Sequence, residues 1–298
     1  MEDVISRLRS GRVIVADGAT GTMLLAAGLP AGTPPERWVL ENPGPIRDLQ
    51  RAYVEAGSDL IIACTFGGNR ARLEHSGLAD RLVEVNQRAV QIAREAAGGE
   101  AYVAADVGPT GEMLAPIGKM TYEQALAIFA EQASVLAGIG VDILYIETMS
   151  DLNEMKAAVE GLKKGGGDVP IFASFSFDHH GRTNMGVKPE QAAETLQALG
   201  VTAFGANCGA TLEMTEGAVA KMHEAAPQAA LIAKPNAGRP HMEGRQAVYD
   251  ATPEDMAEYA LKFVALGAHV VGACCGSTPA HIAAIAAAVK SQNPTLSP

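Results

Sequence analysis

The run Val141-Asp142-Ile143-Leu144-Tyr145-Ile146-Glu147 decides the fold. It is almost continuously apolar rather than alternating, as a strand buried on both faces of a parallel sheet must be. A helical pattern follows at 152–164. The same pair, a short apolar β-rich run and then a longer helical pattern, recurs along the chain. Strands are expected at 12–17, 59–66, 101–107, 141–147, 169–175, 201–207, 229–235 and 268–275. Helices are expected at 44–56, 79–97, 121–139, 152–164, 189–199, 212–225, 253–266 and 278–290. Thr121 with Gln124 reads as a capping box. Thr252-Pro253 and Thr278-Pro279 each place a cap residue before a proline at the first helical position.

Eight such units in 298 residues predict an α/β protein with the (β/α)8 TIM-barrel architecture, one domain over 1–298. A doubly wound open sheet is the alternative, but no Gly-x-Gly-x-x-Gly follows the first strand, which argues against its dinucleotide-binding form. Gly165-Gly166-Gly167 reads as a flexible turn between the fourth helix and the fifth strand, at the end of the barrel away from the active face. The chain is 48% hydrophobic and 19% charged, enough for a large core and unlike a disordered protein. Its net charge of −11 disfavours nucleic acid and anionic membranes as partners. The polar segment 1–12 has no signal-peptide apolar core, and no apolar run is long enough to span a bilayer. Four cysteines in a chain of this length point to metal or catalytic use rather than a disulfide framework. A cytoplasmic location is expected.

Reactive side chains gather at one end of the expected strands. Asp17 closes the first, Cys64 and Asp106 lie near the ends of the second and third, and Glu147 closes the fourth. Cys208 follows the sixth, and Cys274 and Cys275 close the eighth. That is the end where active sites of such barrels sit. Asn207-Cys208-Gly209 and Gly272-Ala273-Cys274-Cys275-Gly276 together offer three sulfurs. Zinc binds sulfur readily, and a catalytic zinc keeps three protein ligands and an open fourth position. For adjacent cysteines to reach one ion, the strand must leave its pleat, which Gly272 and Gly276 permit.

Three other readings stand beside this one. Each cysteine alone reads equally well as a small buried hydrophobe. Cys274 and Cys275 could form a redox disulfide. A closed structural metal site needs a fourth ligand, for which Cys64 is available and His281 is the nearest histidine in sequence. Cys64 itself, beside Ile61, Ile62 and Ala63, reads as core or pocket wall. An open three-cysteine zinc would bind a substrate thiol and keep it as thiolate near neutral pH. Such an electron-rich centre activates water poorly, so its chemistry favours alkyl transfer to sulfur over hydrolysis.

Several separate motifs, in order, resemble the homocysteine S-methyltransferase family, above all the homocysteine-binding barrel of cobalamin-dependent methionine synthases. They are Asp17-Gly18-Ala19-Thr20-Gly21-Thr22, Thr65-Phe66-Gly67, Gly108-Pro109-Thr110-Gly111, Glu147-Thr148, Asn207-Cys208, Pro235-Asn236-Ala237-Gly238 and Gly272-Ala273-Cys274-Cys275-Gly276-Ser277-Thr278-Pro279. The likeness runs from about residue 4 to 290. It implies a zinc-dependent barrel that methylates homocysteine to methionine, with Zn2+ on Cys208, Cys274 and Cys275. It further implies that Asp17 and Glu147 hold the substrate ammonium. Backbone amides of the turn at Gly18, Ala19, Thr20 and Gly21 would receive the substrate carboxylate, and Asn207 joins the substrate-binding set. Two positions depart from the family pattern: Ala273 stands where a glycine is frequent, and Cys64 where asparagine is frequent.

The multi-domain relatives carry separate folate, cobalamin and activation modules, for which this chain has no room. The resemblance therefore implies methylcobalamin on a separate corrinoid protein as the methyl donor. Direct transfer from S-methylmethionine, S-adenosylmethionine or betaine is the alternative, and Trp38 before Glu41-Asn42-Pro43 resembles the sulfonium-using branch. An acceptor other than homocysteine, a barrel that binds without turnover, and a Cys274–Cys275 redox protein are the remaining readings.

Overall fold

Parallel pairing, strand after strand, is what the repeated unit produces. The computed structural model describes residues 1–243 and 246–292. Its strands are β1 (Ile14–Val15), β2 (Leu60–Ala63), β3 (Tyr102–Val107), β4 (Ile143–Met149), β5 (Ile171–Phe175), β6 (Ala203–Cys208), β7 (Leu231–Pro235), the small antiparallel pair β8 (His241–Glu243) and β9 (Gln246–Val248), and β10 (Ala268–Val271). The α-helices are α1 (Val4–Arg9), α2 (Gly21–Ala26), α3 (Pro35–Glu41), α4 (Gly44–Glu55), α5 (Arg70–His75), α6 (Leu82–Ala97), α7 (Tyr122–Gly138), α8 (Leu152–Gly166), α9 (Pro189–Ala198), α10 (Leu212–Ala225), α11 (Pro253–Ala265) and α12 (Pro279–Gln292). Positions 244–245 and 293–298, included in the expected domain, lie outside the described residues.

Eight strands form one sheet in the order β1-β10-β7-β6-β5-β4-β3-β2, every neighbouring pair parallel. The two ends meet at a single bridge between Ala16 and Leu60. Asp59 N–H to Val15 O at 2.7 Å and Asp17 N–H to Leu60 O at 3.0 Å flank it. The sheet is thus rolled into a nearly closed (β/α)8 TIM barrel. No helix among the described residues is long and apolar enough to cross a membrane.

The continuous apolar strands divide by alternation into two cores. Inward positions such as Leu60, Ile62, Tyr102, Ala104, Ile143, Tyr145, Phe172, Ile232 and Val270 fill the barrel. Outward positions such as Ile61, Val103, Leu144, Ile146, Ala173 and Ala233 pack under the helices. Val4 and Leu8 of α1 join the inner core, and Tyr102 O–H donates to Glu2 O at 2.9 Å. Helix α1 therefore covers the N-terminal end of the barrel.

Local signals fix several helix starts as expected. Thr121 and Gln124 form a reciprocal capping box, and Thr252 caps α11 with Asp255 as its partner. The expected helix 79–97 begins instead as a single 3-10 turn at Ala79–Arg81, and α6 starts at Leu82. Two further expectations are corrected. The last strand was expected to reach Cys275 but stops at Val271, so the cysteine pair lies in the turn beyond it. There Cys274 N–H to Pro235 O continues the spacing begun by Gly272 N–H to Ala233 O, and Ala273 N–H reaches Asp17 O on the other side. Gly165 and Gly166 are helical rather than a turn, and the reversal comes at Gly167 with φ 62°. Their lack of side chains lets α8 lie directly on α7. A Cβ at Gly161 would stand 2.7 Å from Leu126 O, and one at Gly165 would collide with Ala130 O.

This contact predicts opposite effects of one substitution at two helical glycines. Gly165→Ala should destabilise the protein by about 1–3 kcal/mol through overpacking. Gly217→Ala, in α10 with open space around it, should stabilise it by about 0.5–1 kcal/mol. Urea unfolding of both variants measures the difference.

A candidate thiolate metal centre in an acid-lined cavity

Two turns at the C-terminal face bring three sulfurs together. Cys208 ends β6 with φ 55°, a left-handed conformation uncommon outside glycine, and Gly209 follows with φ 85°. The turn after β7 holds this bend: Asn236 N–H donates to Cys208 O at 3.3 Å, and Asn236 Nδ2 to Gly209 O at 2.8 Å. The same turn holds the second one. Cys274 N–H donates to Pro235 O at 2.7 Å, and Ala237 N–H to Cys275 O at 2.9 Å. Gly276, at φ 80°, lies so close under the Tyr249 ring that a Cβ there would overlap it. Cys208 Sγ and Cys274 Sγ end 2.8 Å apart, and the sulfurs of Cys208, Cys274 and Cys275 all lie within 4.8 Å of one another.

All four cysteines are free thiols. Within the cluster the first proton leaves easily and the others do not. Hydrogen bonds from Cys208, Cys274 and Tyr249 pull Cys275 down to about 3. Cys274 accepts help from Cys208, but donating to Cys275 and burial push it up to about 12. Cys208 is pushed well above the ordinary thiol value by hydrogen bonds to the other two and by burial. A set that titrates as a unit and resists full ionisation is what a dication would reverse. Three converging soft donors beside an open cavity suit zinc with a fourth position free.

The cavity has a volume of about 1080 Å³ and is lined by these cysteines, Asp17, Asp106, Glu147, Lys234 and residues of the β1, β2 and β3 loops. Asp106, Glu147 and Lys234 are each the last inward residue of their strand, above Ala104, Tyr145 and Ile232. Sequence reading missed Lys234. The signal was available: Ile232 and Lys234 are two apart in a single apolar strand, so they share a face. Lys234 is 2% exposed. Its Nζ lies 3.0 Å from Glu147 Oε1, 3.5 Å from Asp17 Oδ1 and 5.4 Å from the Tyr145 ring centroid. Burial opposes its charge, but Glu147 and Asp17 outweigh that and hold its pKa well above the ordinary lysine value. Burial pushes Asp17 up to about 7 against the pull of Lys234. Burial likewise raises Glu147, again opposed by Lys234.

Other expected site residues are placed differently from one another. Ala19 and Thr20 line the cavity with Gly18 and Gly21, but Ala19 N–H is already given to Ser277 Oγ at 2.9 Å. Ser277 Oγ in turn donates to Cys274 O at 2.8 Å, so the start of α2 and the cysteine turn are tied. Asn207 is 1% exposed and turns its amide to neighbours. Its Oδ1 receives Thr148 N–H at 2.9 Å and Ser174 Oγ at 2.7 Å, and its Nδ2 donates to Thr148 Oγ1 at 2.7 Å. Thr148 has φ 61°, strained for a β-branched residue, and follows Glu147 directly. Asn207 thus fixes the bend that aims Glu147. Cys64 is 5% exposed and belongs to both the outer core and the cavity wall, apart from the three-sulfur group. Burial pushes its thiol well up. His281 bonds Thr278 and Ala251 O.

Comparison with known proteins follows the same lines. The family model described as homocysteine S-methyltransferase matches residues 14–289. A methionine synthase of Mycobacterium tuberculosis is 34% identical over 305 residues, covering 96% of this chain and 25% of that protein. One from Mycobacterium leprae is 33% identical, covering 93% and 24%. The chain therefore spans about a quarter of the length of these relatives. Among solved structures, the metallated form of the homocysteine methyltransferase MmuM from Escherichia coli superposes with a TM-score of 0.80 at 25% identity, covering 95% of this chain and 98% of that one.

The sulfur cluster sets a direct expectation for metal content. Zinc-loaded protein should carry one equivalent, and Cys208→Ser, Cys274→Ser or Cys275→Ser should each weaken zinc binding by at least about tenfold. Cys64→Ser should retain the full equivalent. Atomic absorption after dialysis against a chelator series reads all four.

Proposed function

Because this chain belongs to the homocysteine S-methyltransferase family, we propose that it transfers a methyl group to the thiol of homocysteine, giving methionine, with Zn2+ on Cys208, Cys274 and Cys275. The observation that carries this reading is the convergence of three sulfurs on the same cavity as a buried acidic wall. A zinc ion on those sulfurs supplies the positive charge that holds an acceptor thiol as thiolate near neutral pH. The residues of the chain do the rest. Asn236, Ala237 and Ser277 fix the two cysteine turns, so the donor atoms are set before the acceptor arrives. Thr20, the N-cap of α2, and Gly21, its first residue, line the cavity, and the free N–H groups of a helix start suit the acceptor carboxylate. Asp17, Asp106 and Glu147 make the wall that suits its ammonium. The acceptor sulfur then attacks the methyl carbon in line. The new S–C bond forms as the bond to the donor breaks, and the donor keeps the electron pair. With the thiol proton already lost, no general base is required.

For the donor we propose a methyl-corrinoid, methylcobalamin on a separate protein. The sequence likeness to methionine synthases supports it. An onium methyl donor calls for aromatic faces around its cation; here Phe66 lines the cavity and Tyr249 stands against Cys275. Trp38, the residue that favoured a sulfonium donor, packs against the outer core instead.

Incubation of zinc-loaded protein and homocysteine with methylcobalamin, S-methylmethionine, S-adenosylmethionine or betaine tests both parts. Methionine is expected from methylcobalamin. Product from an onium donor alone would overturn the donor assignment, and no product from any of them would overturn the function.

A further inference from the structure

A second group of metal-ligating side chains lies outside the cavity, on the loop from β5 to α9. Asp178, His179 and His180 follow one another there. A carboxylate oxygen of the first and a ring nitrogen of each of the others lie within 4.8 Å of one another. The two imidazole rings stand with centroids 3.8 Å apart. Among the described residues no hydrogen bond or ion pair takes up a ring nitrogen of either histidine, so the donors are close without being spent on each other. The turn that presents them is tied at several points. Asp178 N–H donates to Arg182 O at 2.7 Å, and Gly181 N–H to Asp178 O at 3.0 Å. Asp178 Oδ1 accepts from His180 N–H at 2.8 Å, which sets the carboxylate beside the imidazoles and leaves Oδ2 for a ligand. Phe177 before the turn is buried, and Thr183 after it gives its hydroxyl to Ser150 O at 2.6 Å.

Two imidazoles and a carboxylate suit zinc, nickel or copper, whereas calcium and magnesium take oxygen donors. Zinc–ligand bonds of about 2.0–2.2 Å put two donors on one ion at most about 4.4 Å apart. His179 and His180 are exposed, so small turns of their side chains close the group to that spacing. Arg182, Lys188 and Lys221 line a cavity of about 240 Å³ together with His180. Their charge opposes a dication held by electrostatics alone, so coordination by imidazole has to supply the affinity. The loop leaves the barrel beside the Cys208 turn, since a Cβ on Gly209 would stand 3.3 Å from Phe177 O. We propose that Asp178, His179 and His180 form a second, exchangeable site for a divalent transition ion, separate from the three-sulfur centre in place and in donor type. It depends neither on the acceptor nor on the methyl donor. Exposed and without sulfur, it gives up its ion to a chelator that leaves zinc on the cysteines.

The test is a calorimetric titration with Zn2+ of protein already dialysed to its tightly held zinc, repeated in the presence of excess Mg2+. Wild type should take up one further equivalent, and Mg2+ should not displace it. Loss of an outer partner alone costs a metal site about 10- to 100-fold, so His179→Ala and His180→Ala should each weaken the further equivalent by at least about tenfold. Asp178→Asn keeps an oxygen for the His180 N–H but loses the charge, and should weaken it as well. The tightly held zinc should be unchanged in all three. Cys208→Ser, which weakens the sulfur centre, should leave the histidine-dependent binding as it is. No further equivalent in wild type, one that survives replacement of both histidines, or one that Mg2+ displaces would overturn the proposal. So would loss of the tightly held zinc in the histidine variants, because the two sites would then not be separate.

Discussion

The backbone hydrogen bonds of the turn after β7 are the constraint on which the active face depends. One short stretch, Pro235 to Ala237, bonds to the Cys208 turn on one side and to the Cys274–Cys275 turn on the other. Without it, two loops more than sixty residues apart would each choose their own conformation. Cys208 would have little reason to keep a left-handed backbone that costs roughly 1–2 kcal/mol. The Pro-Asn-Ala-Gly motif therefore makes sense as a clamp: its side chains need not touch substrate for its identity to matter. Asn207 does the same for the neighbouring strand, where its amide holds the strained Thr148 behind Glu147. Both devices leave the reactive side chains little freedom to relax.

The acidic wall shows the cost of that arrangement. Each buried ion carries a desolvation penalty of several kcal/mol in effective terms, of order those that make buried pairs poor sources of stability. Here three carboxylates face one ammonium, so pairing within the wall is incomplete. A core built for stability would have placed apolar residues at these inward positions, as the same strands do one inward position lower with Ala104, Tyr145 and Ile232. The change from apolar to ionic along one inward track marks where folding requirements end and ligand requirements begin.

Much of this was readable in the chain, for physical reasons that can be named. Doubly buried parallel strands leave continuous apolar runs, so the barrel was legible from residues 141–147 and their repeats. Caps such as Thr121 with Gln124 were legible because they are local. The three cysteines stood out because sulfur is rare and their flanking glycines signal irregular backbone. Lys234 was hidden by its own rarity in strands: a lone charge in an apolar run reads as a strand end unless its face is counted from Ile232. Gly165 and Gly166 misled because close helix packing and chain reversal both call for glycine, and only the neighbouring α7 separates them. The short helix α1 gave no periodic signal, since six residues are too few to show one. Its role comes from tertiary position alone.

That helix has a kinetic consequence. By packing Val4 and Leu8 against the filled interior, α1 leaves the cavity open at one end of the barrel only. On the proposed function, two reactants and two products would share a single doorway. A small acceptor on the acidic wall would then have to arrive before a bulky donor covers the opening, and the spent donor would depart before the methylated product. The plugged floor of the barrel would by itself set an order of addition and release.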